Sequence, residues 1–346
     1  RMMMSGAASL VAAVVPSMII KAVGGDINGP EQKYGYLVMA ITLSIVFALC
    51  WLITFLGTKE RDELRTPNTI NIKKWLTVFQ NKSFRTFLII FITFQVAIDL
   101  MLAVFIFYVD IVILQYKNYE LIMGTLLVFQ VVFMVLNGAI AKKKGKAFPL
   151  FIGMPIWILS SLAFIFIDSS TSVIIICLLS ALIALGASAG NLATWSMITD
   201  IYDVDEIMTG KRREGIYSGF TTFIRKFASG FAVFILGFGL QGMGFDQNEY
   251  AILKEKLADF DPTAYAQSGV VQGIKWMFVL IPILLLTITF IFAFRYKLNN
   301  KRFNTLLKGI EQYKTEGNLE KMSAEEKADI EIVTGKDIDK LWQDNQ

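Results

Sequence analysis

The chain has 346 residues, of which 55% are hydrophobic, 18% charged and 13% aromatic. Soluble domains hold about 45–50% apolar residues and about 25% charged ones, so this composition excludes that class, along with disorder and a disulfide scaffold. The net charge is only +4, which argues against a nucleic-acid partner, and 28 Phe against 7 Pro suit a polytopic helical membrane protein.

A bilayer-crossing helix needs about 20 apolar residues. In chain order such runs are Met2–Ile20, Tyr36–Leu56, Arg85–Val109, Leu121–Ala141, Phe148–Ile167, Ser172–Ile198, Ile216–Leu240 and Trp276–Phe294. A second span follows the first at once, so the first is read as a span and not as a signal peptide. The basic loop 58–84 separates the second run from the third. Pro67 breaks it, and Asn71–Asn81 is expected as an amphipathic helix on the membrane surface. Between the last two runs lies a charged stretch, Glu249–Asp259, of helical character. The tail, 297–346, is highly charged, and Ser323-Ala-Glu-Glu326 has the form of a helix capping box. The expected organisation is two spans (1–57), a middle loop (58–84), a six-span bundle (85–296) and a helical tail (297–346). Six-span bundles are the unit of major facilitator transporters.

Lys and Arg orient the chain. One set of alternate loops and the tail holds 24 of the 33, and the other set holds 6. By the positive-inside rule, both ends are expected in the cytoplasm of a multi-pass protein of the cytoplasmic membrane, with the lipid bilayer as a partner.

The absence of histidine removes His-based acid–base chemistry and most transition-metal sites. Cys50 and Cys177 each lie in an apolar run and read as buried free thiols. No nucleophile–base pair or metal-ligand cluster stands out, so no enzyme, metal or cofactor is expected.

Ionisable residues inside a span are costly and usually face a cavity or a partner. Lys226 is roughly 16 Å past Gly215 by helical rise. Its neighbours Ser218, Gly219, Thr222, Ser229 and Gly230 form a small, polar stripe, with Phe220, Ile224, Phe227, Phe231 and Phe234 on the opposite face. Asp99 is roughly 21 Å past Arg85, with Gln95 one turn below it. Asp99 and Lys226 are therefore expected at similar depth, lining one aqueous cavity. Arg225 snorkels or caps more easily. Asn191 and Trp195 stand near the inner end of the sixth run, after the Gly- and Ala-rich stretch GASAGNLATW, whose small residues allow close helix approach. Trp195 reads by default as an interfacial Trp near a helix end, and stacking on a sugar ring is the alternative.

Asp200, Asp203, Glu206, Arg212, Arg213 and Glu214 place both charge signs at the inner ends of two helices, with Gly210 at the turn. They are expected to form a cytoplasmic gate whose salt bridges exchange between access states. The wider pattern runs through Asp200, Asp203, Asp205, Glu206, Thr209, Gly210, Arg212, Arg213 and Glu214 to the intramembrane Lys226. It resembles the signature of the glycoside–pentoside–hexuronide:cation symporters, the melibiose-permease type of the major facilitator superfamily. FLGTKER at the end of the second run resembles that family's middle loop, and YVDIVILQY at the outer end of the third does so loosely.

The resemblance implies an all-α major facilitator fold and symport of a sugar or glycoside with a monovalent cation, Na⁺ or H⁺, by alternating access. It implies that Lys226 lies in the substrate and cation region and that Thr221 and Thr222 fall among substrate-contacting polar residues. Asn191 stands where such permeases carry a sugar-contacting aromatic, and Arg1 matches an arginine that opens the family's fifth span. About eight of twelve transmembrane helices are then present: the last two of an N-terminal bundle and the whole C-terminal bundle. The chain is expected to be an N-terminally truncated portion of a transporter. Other readings are a facilitator-type carrier of another solute, such as a lysolipid, and a non-transporting membrane sensor or scaffold.

Overall fold

The computed structural model describes residues 32–59, 76–245 and 269–342, with scattered helical positions between 8 and 23. Most of the first expected span, Arg1, and the Glu249–Asp259 stretch lie outside the described residues. The chain divides into two compact units, Arg1–Ile72 and Lys73–Gln346.

In the first unit, α1 (Gln32–Gly57) is predominantly apolar past Lys33 and long enough to cross a bilayer. Most of its large side chains from Leu37 to Leu56 are exposed. Cys50 is exposed on it, contrary to the buried thiol expected, because α1 buries so little of its surface.

The second unit contains six membrane-length helices: α2 (Lys82–Phe107), α3 (Tyr119–Lys144), α4 (Phe148–Ala163), α5 (Val173–Thr209), α6 (Glu214–Gly242) and α7 (Gly269–Arg295). All regular structure among the described residues is helical. Among the described residues, seven helices are long and apolar enough to cross a membrane, α1 included. An isolated apolar helix satisfies all its backbone polar groups, which is what a bilayer demands. Belts of exposed Leu, Ile, Val and Phe cover α3, α6 and α7, as lipid-facing surface requires. The chain is an integral multi-pass membrane protein.

Around α2 the bundle is tightest. The helix packs along α5, α6 and α7, and its Phe84, Phe87, Phe91, Phe94 and Phe105 are fully buried. Asn81 caps its start by accepting from the Phe84 amide at 3.1 Å. The expected amphipathic helix 71–81 is, where described, a 3₁₀ turn over Thr77–Gln80 that leads into this cap. α5 packs against α3 and α4 as well as α2. Its Gly- and Ala-rich stretch makes that possible. A Cβ on Gly186 would sit 2.6 Å from the Gly153 carbonyl, and one on Gly190 would strike the Phe94 ring.

At 37 residues α5 is about 55 Å long, well beyond the ~30 Å hydrocarbon core. Its last three turns therefore project at the end of the bundle that carries the basic loops. Gly210 ends it in the left-handed region, φ +68°. The tail supplies α8 (Asn300–Glu316) and α9 (Ala324–Thr334), the latter opened by a complete Ser323–Glu326 capping box. Both fold back on this basic end. Gly309 of α8 packs against Ile330 and Ile207, and the Ser83 hydroxyl donates to the Val333 carbonyl at 2.7 Å. Trp342 lies against Gly210, stacks on Tyr313 with centroids 4.9 Å apart, and donates its amide to the Ile207 carbonyl at 3.0 Å.

Candidate functional site

The charged side chains deep inside the described membrane helices are Asp99 on α2 and Arg225 and Lys226 on α6. α2 lies between α5 and α6, packing along both, while α5 and α6 meet each other sparsely. Near the basic end they touch through the hydroxyls of Tyr202 and Ser218, 2.8 Å apart. Deeper in, the side of α2 bearing Asp99 is left half-buried between them.

Gln95 donates to the Asp99 carboxylate at 2.8 Å, as expected one turn apart on one face. From α6, the Arg225 guanidinium and the Ser229 hydroxyl face the same carboxylate. Trp195 of α5 completes the group. Its ring has its edge relation to Phe91 at 5.9 Å, and the Arg225 guanidinium lies 5.6 Å from its centroid. That distance suits a cation–π contact. Asn191, one turn from Trp195, is half-buried. Helical rise puts Arg225 roughly 16 Å and Ser229 roughly 22 Å past the start of α6, near mid-bilayer.

Asp99 and Lys226 were expected at similar depth, lining one cavity, with no pairing between them specified. The structure sets Arg225 against Asp99, and Lys226 is exposed beside it with no hydrogen bond or ion pair among the described residues. One residue turns a helix by about 100°, so depth alone does not tell which of two adjacent cations faces a given neighbour. The two threonines also separate. Thr222 is exposed on the polar stripe, whereas Thr221 is buried in the packing face with an unpartnered hydroxyl. On the other flank of α6, Phe223, Phe227, Phe231, Phe234 and Phe238 form an exposed ladder. Phe220 and Ile224, expected with them, pack against the core.

The second charged group sits at the basic end. Lys146, in the α3–α4 turn, pairs with Asp200. Arg212 reaches Asp203 at 3.6 Å, Glu206 at 3.2 Å and also Glu214. These partners hold its guanidinium above its ordinary pKa, Glu214 most of all. Arg213 grips Asp205 with Nε on Oδ2 at 2.8 Å and Nη2 on Oδ1 at 2.5 Å. The Tyr217 hydroxyl donates to the same carboxylate at 2.7 Å, and Arg213 also donates to Thr77 at 2.9 Å. Lys314 of the tail pairs with Glu206 at 2.7 Å. All six residues expected in the gate are thus drawn together, with partners from the same unit. Asp205, Tyr217, Lys146 and Lys314 were not expected there. Asp205 stood in the quoted motif, and its eight-residue spacing to Arg213 across a Gly turn was the available signal.

Comparison with known proteins places this arrangement. The profile of the family described as MFS/sugar transport protein matches residues 1–300. A candidate sulfoquinovose importer of Salmonella typhimurium is 28% identical over 83% of this chain and 58% of its own length. Its counterpart in Escherichia coli strain K12 is 26% identical over 86% of the chain and 60% of its own length. The sodium-dependent lysophosphatidylcholine symporter 1-A of Danio rerio is 21% identical over 62% of the chain and 41% of its own length. The chain therefore spans about three-fifths of the two importers, as 58% and 60% state. With a bundle of membrane-crossing helices, charges held at mid-bilayer and a family match over most of its length, the chain belongs to the MFS/sugar transport family.

Proposed function

We propose that the protein takes up a sugar or glycoside together with a monovalent cation, Na⁺ or H⁺, by alternating access. The observation that carries this reading is Asp99, kept at mid-bilayer on the open side of α2 with Gln95, Arg225 and Ser229 around it. A mid-bilayer carboxylate with the Ser229 hydroxyl beside it offers oxygen to Na⁺ or a site for a proton. Thr222, Asn191 and Lys226 supply hydrogen-bonding groups for hydroxyls, and Trp195 supplies an apolar face. The family's members named as sulfoquinovose importers make a sulfonated sugar one candidate. The positive-inside rule supports reading the basic end as cytoplasmic, and the ion pairs of the Asp200–Glu214 cluster support reading it as a cytoplasmic gate.

The test is uptake of labelled glycosides by cells expressing the full gene product, with and without Na⁺ and proton gradients. Gradient-driven accumulation that Asp99→Asn abolishes is the expected result. Accumulation indifferent to both gradients would refute the coupling, and binding without accumulation would point to a sensor. A lysolipid carrier is the second reading, favoured by the exposed Phe ladder beside the Arg225–Lys226 pair. Uptake of labelled lysolipid in place of glycosides would establish it.

A further inference from the structure

The cations at the basic end fall into two kinds. Lys146, Arg212, Arg213 and Lys314 pair with carboxylates of α5. Lys301 and Arg302 of α8 pair with Glu325 and Asp329 of α9. By contrast, Lys142, Lys143 and Lys144 at the end of α3, and Arg295 and Lys297 at the end of α7, have no carboxylate partner among the described residues. All five are exposed, and neither transport nor the gate uses them.

The two groups share one face. α4 lies between them, with its Phe151 ring 6.1 Å from Phe148 and 4.6 Å from Phe294 of α7. The Lys144 ammonium stands 4.6 Å over the Phe148 ring, and the Arg295 guanidinium 5.1 Å over that of Phe292. Aromatic rings thus run from the lysines to Arg295. One turn further into the membrane, Ile152, Ile291 and Phe294 are exposed. The level is also fixed. The apolar runs of α3 and α7 end at Ala141 and Phe294, and the cations begin at the next residue of each, Lys142 and Arg295. They stand where hydrocarbon gives way to headgroups.

The positive-inside bias accounts for basic residues on this side, but it does not require them to gather on one face without carboxylate partners. About four to eight Lys and Arg immediately beyond a membrane helix attract anionic lipid. A free anion would engage the cations alone. A phospholipid also uses the apolar wall beneath them.

We propose that Lys142, Lys143, Lys144, Arg295 and Lys297 form a seat for one anionic phospholipid of the leaflet at the basic end. Its phosphate meets the cations, and its acyl chains run along Ile152, Ile291 and Phe294.

The experiment measures association of spin-labelled phosphatidylglycerol and spin-labelled phosphatidylcholine with the purified full gene product in phosphatidylcholine vesicles. The anionic lipid is expected to associate about threefold or more as strongly as the zwitterionic one. That preference should fall to near one when Lys142, Lys143 and Lys144 are each replaced by Gln, and should weaken in the separate double variant Arg295→Gln, Lys297→Gln. Replacing Lys308, Lys321 and Lys340 by Gln removes three charges from the tail and should leave the preference in place. Equal association of both lipids with the unaltered protein would overturn the proposal. So would a preference that survives both seat variants, or one that the tail variant loses as fully, which would make it an effect of overall charge. Loss of the preference when inorganic phosphate replaces chloride at constant ionic strength would overturn it in favour of a soluble anion.

Discussion

The Asp205–Arg213 pair allows a sharp test of what holds the end of α5 to the start of α6. Asp205 is 1% exposed and Arg213 20%. The carboxylate accepts from Arg213 twice and from Tyr217 once, at 2.5–2.8 Å. Removing one partner of a buried pair costs about 3–5 kcal/mol, mostly because the other charge is left uncompensated. In Asp205→Asn the stranded group is Arg213, which water and the Thr77 hydroxyl still reach, so the lower end applies, about 3 kcal/mol. In Arg213→Gln the stranded group is the buried carboxylate, so the cost is about 4 kcal/mol. The double variant strands neither charge and should cost about as much as one single change. The coupling energy is therefore expected at about 3–4 kcal/mol. The assay is thermal unfolding of the four purified proteins in detergent. At about 2–4 °C per kcal/mol, Asp205→Asn should melt about 6–12 °C lower and Arg213→Gln about 8–16 °C lower. A coupling below about 0.5 kcal/mol would mean that the two side chains act independently and that the pair does not join these helices.

Other consequences concern smaller features. Thr221→Val removes a buried hydroxyl that has no partner, and should stabilise the bundle by about 1 kcal/mol in the same melting assay; a loss would show that the hydroxyl is in use. Gly210→Ala forces a Cβ onto a left-handed residue, 3.0 Å from the Trp342 indole. It should cost about 1–2 kcal/mol and release the tail to limited proteolysis, and unchanged cleavage would count against Trp342 as its anchor. Glu326 is held below the ordinary carboxylate range, chiefly by the Ser323 amide of the capping box. Its folded-state pKa is lowered, so its contribution is complete above the usual carboxylate value and is lost as pH falls through the lowered one. Amide exchange in the first turn of α9 should therefore accelerate in that acid range, and Glu326→Gln should remove the pH dependence.

The helices were legible because apolar runs report the bilayer directly. The run Ile216–Leu240 became α6, Glu214–Gly242, and Leu121–Ala141 became α3, Tyr119–Lys144. The run Ser172–Ile198 fell short of α5 by three turns, since hydropathy ends where the membrane does and a helix need not. The capping box was readable because it is a local hydrogen-bond pattern. The partners of the deep charges were not readable. Depth follows from counting residues, but facing depends on how helices rotate against each other, so counting could not show that Arg225 is the cation facing Asp99. Nor could the sequence show that Lys314 and Trp342, over a hundred residues on, would return to Glu206 and Gly210.

The basic-end cluster also sorts itself into fixed and exchangeable parts, which bears on how a gate could work. The Arg213–Asp205 fork is buried and carries the larger cost of separation, so it should persist through any access change and act as a hinge clamp. Arg212 is different. Its side chain is 52% exposed and divides its donors among Asp203, Glu206 and Glu214. Lys314 is 55% exposed. Contacts of that kind contribute about 0–1 kcal/mol each. Breaking two or three of them changes an equilibrium between access states by about tenfold, which tunes it without locking it. In the proposed cycle the exchange of partners therefore falls to Arg212 and Lys314, while Arg213 holds α5 and α6 together as they move. The tail enters through Lys314, so its hold on Glu206 biases the same equilibrium that Arg212 does.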